Sequence, residues 1–431
     1  MTDLKNIRRD DLEAFHARIM GAYEAFRARR LSLNLTRGKP SPEQLDLSNE
    51  LLRLPDNGDF LQADGGDTRN YFGSLQGLPE ARVLFSEMLG APPEQIVIGN
   101  NSSLAMMHDC IVYGMLKGLP NSQKPWAKDE PITFLCPAPG YDRHFAICET
   151  YGIRMIAVPM TESGPDMDKV EQLVADPSVR GMWCVPKYSN PDGVVYSREV
   201  VGRIAKMRTG AVDFRVFWDN AYGVHHLTDV RYEVANILDA CRAAGNTDRA
   251  FVFASTSKIT FAGGGLALFA SSPLNVGWLV GCMSKRTIGP DKLNQLRHVR
   301  FLKNSAGIHQ LMEKHRQIIV PKFAAVENGL SMHLDGTGVA TWTRPAGGYF
   351  ISVNLLTGSA RRVVELANQA GLALVPAGAS FPYGRDPRDG HLRIAPTFPS
   401  VEEVSAASDG IGLSILLSAI EEIRASRKED A

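Results

Sequence analysis

The feature that most limits what this chain can fold into is a series of short apolar runs, each closed by loop residues. They are QIVIGN (95–100), PITFLCPAPG (131–140), RMIAVPM (154–160), GMWCVPKYSNP (181–191), FRVFWDNAY (214–222), AFVFASTSK (250–258) and LALFAS (266–271). Helix-like segments at 102–118, 142–151, 166–176 and 198–207 separate most of them. Alternating strand and helix signals predict an α/β unit around a mostly parallel, seven-stranded sheet. Runs that are apolar on both faces need cover on both sides, so the expected architecture is a three-layer α/β/α sandwich.

Past residue 290 the texture changes. Residues 292–334 read as one long helix and 347–356 as a strand. Helix follows at 360–370, strand and turn at 372–381, strand at 391–397 and a closing helix at about 402–427. This predicts a smaller α+β unit at 311–431, a large unit at 49–310, and an N-terminal segment, 1–48, packed against the small one.

In open α/β sheets, ligands sit beyond the carboxyl ends of the strands. The polar residues Asn190, Asp219, Tyr222, Ser255, Ser257 and Lys258 stand at those ends. Lys258 follows a buried-looking strand and three hydroxyl residues. It is either a surface lysine or a buried amine, whose lowered pKa would suit Schiff-base chemistry with an aldehyde. Its hydroxyl neighbours could hold a phosphate, and Gly263, Gly264 and Gly265 permit close backbone approach. Asp219 ends an apolar strand, where a carboxylate needs a partner. That partner is a structural cation or cap, or the protonated ring nitrogen of a ligand that Tyr222 could also reach. Asn190 lies in SNPDG, a turn sequence on the same edge. Ser102 and Ser103 open a helix, as a plain cap or as an anion site. Tyr141 follows a strand and could stack on a flat ring.

Lys plus Arg and Asp plus Glu both number 47, so nothing in the charge balance points to nucleic-acid binding. No stretch offers about 18 consecutive apolar residues, and the N-terminus reads as a charged amphipathic helix, so neither a membrane partner nor a leader is expected. Six scattered cysteines without CxxC spacing predict no metal site and a cytoplasmic setting.

Taken together, LTRGKP (35–40), NYFGSLQGLPEAR (70–82), NNSS (100–103), PGY (139–141), NPDG (190–193), DNAY (219–222), STSK (255–258) and HLRIAPT (391–397) resemble one family over nearly the whole chain. The sequence resembles fold-type I pyridoxal-phosphate enzymes of the class I/II aminotransferases. Within them it is most similar to the aspartate-aminotransferase-like branch, in places called MocR-family aminotransferases. The resemblance implies pyridoxal 5'-phosphate as cofactor and a homodimer with shared active sites. It implies that Lys258 carries the cofactor and shuttles a proton, that Asp219 pairs with the ring nitrogen, and that Asn190 and Tyr222 bond the phenolic oxygen. It places Tyr141 on the ring and Ser102, Ser103, Ser255 and Ser257 on the phosphate, with Tyr71 arriving from the partner subunit. Arg393 then takes the substrate α-carboxylate, helped by Gly38 and Asn190. Transamination of aspartate or glutamate with 2-oxoglutarate is the implied reaction. A second cation for the side-chain carboxylate would be Arg37, Lys285 or Arg286. Elimination or decarboxylation on the same site is the alternative chemistry. A regulator of the MocR type would need a DNA-binding module, for which some 35 residues before LTRGKP leave no room. The family's phosphate-binding arginine, eight residues after the lysine, is Leu266 here.

Overall fold

The computed structural model describes residue 4 and residues 7–71, 73–129 and 131–429. Of the N-terminal segment expected at 1–48, residues 1–3, 5 and 6 lie outside the described residues, as do 430 and 431 of the C-terminal unit. The strands, in chain order, are β1 (Leu33–Asn34), β2 (Ile96–Ile98), β3 (Thr133–Ala138), β4 (Arg154–Thr161), β5 (Gly164–Pro165), β6 (Val179–Cys184), β7 (Arg215–Asp219), β8 (Ala250–Ser255), β9 (Ala267–Ala270), β10 (Ala340–Trp342), β11 (Ile351–Leu355), β12 (Leu372–Ala373) and β13 (His391–Ile394).

All seven apolar runs form strands of one sheet, in the order β2-β9-β8-β7-β6-β3-β4-β5. From β8 to β4 neighbouring strands run parallel, whereas β9 is antiparallel to both of its neighbours. Among the described residues the sheet holds eight strands rather than seven. The extra one, β5, is a two-residue return at Gly164–Pro165 that pairs antiparallel with the end of β4 and is too short to leave a periodic signal. Along β7 and β8 alternate residues enter different cores, because successive side chains of a strand point to opposite faces. Trp218 and Val252 join one core, while Phe217, Phe251 and Phe253 join the other. The carboxyl ends of β6, β7 and β8 come level, with Cys184 beside Trp218 and Asp219 beside Phe253.

The predicted long helix is two helices, Lys292–Leu302 and Ser305–Leu334. The break has local causes. Lys303 takes a left-handed φ of 63°, and the Asn304 side chain caps the second helix by accepting from Gly307 N at 3.0 Å. Gly307 must lack a Cβ there, because one would collide with the Leu302 carbonyl.

A third core joins the N-terminal helix Arg9–Arg27, through Leu12, Ile19, Tyr23 and Phe26, to residues such as Leu366, Ile411 and Leu416. The Tyr23 hydroxyl donates to Leu366 O at 2.8 Å. The point between residues 310 and 311 falls inside the helix Ser305–Leu334. Ile308, Leu311 and Met312 of that helix pack on the sheet core, and Val326, Leu330 and Leu334 pack with the third core. The C-terminal helix contains an 18-residue window of mean hydropathy 1.3, long and apolar enough by composition to cross a membrane, but 78% of that window is buried in the fold. Counting only unbroken apolar residues passes over it, because serines and glycines interrupt the run.

Candidate active site

The Lys258 turn leaves the end of β8 and is closed by its own backbone. Thr256 N donates to Leu266 O at 2.9 Å, and Leu266 N returns to Thr256 Oγ1 at 2.8 Å. A Cβ on Gly265 would sit 2.9 Å from Thr256 Oγ1, so the close approach needs glycine. The helix Lys292–Leu302 holds the turn from behind. Asn294 Nδ2 donates to Gly264 O and Gly265 O, both at 3.0 Å. His298 Nδ1 donates to Asn294 O at 2.8 Å, which leaves Nε2 to accept from the Thr260 hydroxyl at 2.9 Å. Burial lowers the His298 pKa to about 4, in keeping with that neutral form. Leu266 is fully buried beneath the turn. Nothing in the apolar pattern of 292–302 separates these polar positions from an ordinary surface face, so sequence reasoning missed them.

The Lys258 side chain is half-buried, and its Nζ has no hydrogen-bond partner among the described residues. It lies 5.1 Å from the centre of the Tyr222 ring. Burial lowers its pKa and the nearby Asp219 charge partly opposes this, so more of the amine is neutral than for a solvated lysine. The Lys258 carbonyl is tied down on one side by the Tyr349 hydroxyl, just before β11, at 3.4 Å, and on the other by His225 Nε2, beyond β7, at 3.3 Å.

Asp219, 4% exposed, places Oδ2 3.1 Å from His144 Nε2. Its Oδ1 is buried and has no partner among the described residues. His144 stacks flat on Trp183 at 4.3 Å and meets the Tyr141 ring edge-on at 4.9 Å. In PGYDRH the sequence singles out Tyr141 and not His144. The signal was present: the two residues lie three apart at the start of the helix Asp142–Thr150, one turn along the same face. Burial pushes the Tyr141 phenol up to about 12, with a further contribution from Asp219, and pushes Tyr222 well up. Both phenols are therefore neutral donors at neutral pH.

Arg393, on β13, faces this edge. Its Nη1 donates to Asp142 Oδ1 at 3.2 Å and to Asn190 Oδ1 at 3.3 Å, and its Nη2 reaches Thr36 O at 3.5 Å. Its Nε is buried without a partner among the described residues. The Phe350 ring lies 4.9 Å below the guanidinium and packs so close to Gly38 that a Cβ there would come within 2.6 Å of it. Ser102 caps the helix Ser103–Lys117 by accepting from Ala105 N at 3.3 Å. Ser257 Oγ donates to Asn101 O at 3.3 Å, which brings the lysine turn against that helix start, and Ser255 is buried beside it.

Contacts thus link Lys258, Asp219, Tyr222, Tyr141, Asn190, Arg393 and Gly38 into one site, with Ser102, Ser103, Ser255 and Ser257 along one rim. Tyr71 stands apart on the surface, 77% exposed. Arg37 is exposed beside Gly38. Lys285 and Arg286 are exposed beyond the helix Pro273–Met283, and Arg286 Nε pairs with Asp109 at 3.2 Å. Among the described residues, no group of three or more His, Cys, Asp or Glu is placed to hold a metal ion. A partly neutral amine, a dry carboxylate with one oxygen unpaired and a recessed guanidinium suit, in turn, attack on an aldehyde, pairing with a protonated ring nitrogen and grip on a carboxylate.

Residues 7–427 match the family model described as aspartate amino-transferase. A Corynebacterium glutamicum protein named aspartate aminotransferase is 48% identical over 418 residues, 97% of this chain and 96% of that one. The crystal structure of an aspartate transaminase from Corynebacterium glutamicum superposes with a TM-score of 0.96 at 47% identity, covering 98% of this chain and 99% of the other. The α-aminoadipate aminotransferase of Thermus thermophilus, solved with N-(5'-phosphopyridoxyl)-L-leucine, shares the fold at a TM-score of 0.72 and 22% identity, covering 93% and 96% of the two chains.

Proposed function

This chain belongs to the aspartate aminotransferase family and is an aminotransferase, and from that premise we propose that it uses pyridoxal 5'-phosphate to move the amino group of aspartate or glutamate to a 2-oxo acid such as 2-oxoglutarate. The observation that carries the cofactor assignment is the presence, in one site, of a half-buried lysine amine and a buried Asp219 oxygen, neither with a hydrogen-bond partner among the described residues. An unmet acceptor at a dry strand end costs about 1–3 kcal/mol, and a protonated pyridine nitrogen would relieve it. The residues present therefore fit the group.

When bound, the cofactor supplies an aldehyde for Schiff-base exchange and a cationic ring that draws electrons from the substrate Cα. The protein supplies the rest. Lys258 would offer its amine to the aldehyde and serve as the base that moves the α-proton. Asp219, fixed by His144, keeps the ring nitrogen charged. Tyr222 and Asn190 donate to the phenolic oxygen, and Tyr141 covers the ring. Ser102, Ser103, Ser255 and Ser257 hold the phosphate together with the amides of the helix Ser103–Lys117. Leu266 stands where the resemblance leads one to expect a phosphate-binding arginine, and the helix Lys292–Leu302 braces the lysine turn through Asn294 and His298. Arg393 takes the α-carboxylate, and Arg37, beside Gly38, is the favoured second cation.

The exposed Tyr71 supports a homodimer in which it crosses to the partner's site, an arrangement that two-fold symmetry would repeat. All six cysteines are free and buried, which supports a cytoplasmic setting. The names of the C. glutamicum relatives support aspartate as donor. A panel of amino acids incubated with the holoenzyme and 2-oxoglutarate tests the reading: glutamate should accumulate fastest with aspartate. A preference for apolar donors would refute the dicarboxylate assignment. Release of ammonia or CO2 without an acceptor would favour elimination or decarboxylation.

A further inference from the structure

We propose that Asp142 is the resting occupant of the carboxylate seat on Arg393, and that a substrate carboxylate binds by exchanging with it. The proposal rests on the reading that Arg393 is that seat. Four observations carry it. The Arg393 side chain is 6% exposed, so its charge needs an anion close by, and among the described residues Asp142 is the acid within ion-pair reach. The other contacts of its terminal nitrogens are neutral: the Asn190 amide oxygen at 3.3 Å and the Thr36 carbonyl at 3.5 Å. Nε is closed off from solvent, without a partner among the described residues, and the Phe350 ring lies below, so a carboxylate from outside must arrive at the terminal nitrogens. Asp142 itself is on the rim, 36% exposed, and directly follows Tyr141.

The exchange is inexpensive on both sides. Asp142 is the first residue of the helix Asp142–Thr150, where a negative charge is favoured whether or not it touches Arg393. Rotated outward, it regains water. Arg393 meanwhile trades one carboxylate for another and is never left buried and unpaired. The site therefore keeps its net charge balanced with and without substrate, and the affinity for any carboxylate is reduced by the pair it must displace.

The test uses holoenzyme and two amine-free probes, acetate and succinate, titrated by calorimetry into wild type, Asp142→Asn and Arg393→Ala. Asp142→Asn should bind both probes about three- to tenfold more tightly, because the competing pair is partly exposed and of modest strength. Asp142→Ser, which keeps a polar side chain at the helix start, should do the same and serves if the asparagine variant folds poorly. The gain should persist at high salt, where repulsion through solvent is screened. Unchanged or weaker probe binding in the Asp142 variants overturns the exchange, as does a gain that disappears at high salt, since Asp142 would then orient Arg393 or act only at a distance. If Arg393→Ala keeps wild-type probe affinity, the seat is elsewhere and the functional reading of Arg393 fails, whatever Asp142 does.

Discussion

Replacing Asp219 by asparagine separates charge from shape at the centre of the site. The side chain is 4% exposed, with Oδ2 held by His144 at 3.1 Å and Oδ1 without a donor. Asparagine has nearly the same outline and can still bond the imidazole. In the cofactor-free chain the change removes a buried charge and keeps an outline that can still meet His144, so folding should not suffer: the apo Tm should stay level or rise by about 1–3 °C, taking about 1–3 kcal/mol over a chain of this size. In the loaded enzyme the same change removes one half of a buried charge pair with the ring nitrogen. Breaking such a pair costs about 3–5 kcal/mol, which predicts a fall in kcat/KM of roughly 10²- to 10⁴-fold. The assay is kcat/KM for aspartate with 2-oxoglutarate at saturating pyridoxal phosphate, alongside apo and holo melting curves. Activity within tenfold of wild type would refute the charge argument. A large drop in apo Tm would show instead that Asp219 matters for the fold, and would undo the inference from its unpaired oxygen.

Lys258→Ala should retain cofactor yet lose turnover by many orders of magnitude, and borohydride reduction of the wild type should label Lys258; a label on another lysine would overturn the assignment. His298→Phe should lower holo Tm more than apo Tm and weaken cofactor retention, with His298→Asn recovering part of the loss, because its ring braces the lysine turn through Thr260; equal losses in both forms would make it merely structural. Arg393→Ala should reduce kcat/KM for all donors by roughly 10- to 150-fold, from about 1.5–3 kcal/mol of charge-assisted bonding, whereas Arg37→Ala should penalise aspartate and glutamate but spare alanine, as a donor panel would show. Burial holds His225 at about 3 and His298, His315 and His391 at about 4, below the ordinary 6.5. Below pH 6.5 the unfolded chain takes up protons that the folded chain refuses, so this stability is present above 6.5 and lost on acidification. Apo Tm should fall steadily from about pH 6.5 to 4, and a flat profile would contradict the buried neutral rings.

Local chemistry decided much of this protein before any long-range contact formed. The doubly apolar runs committed their residues to a covered, mostly parallel sheet, and the polar residues closing them had to fall on its ligand-binding edge, since all of β6, β7 and β8 end the same way. The break at 303–304 was also local, written in the asparagine cap and Gly307, although the helical pattern on both sides masks it. What the partners of those edge residues would be was settled only by the tertiary structure. His144 meets Asp219 across 75 residues and Asp142 meets Arg393 across 251. The polar face of the helix Lys292–Leu302 looks like any solvated face until the turn at 256–266 is packed against it. A single chain encodes periodicity and capping in neighbouring residues. Which buried charge or hydroxyl finds which partner depends on how whole layers dock, and that information is spread over the entire fold.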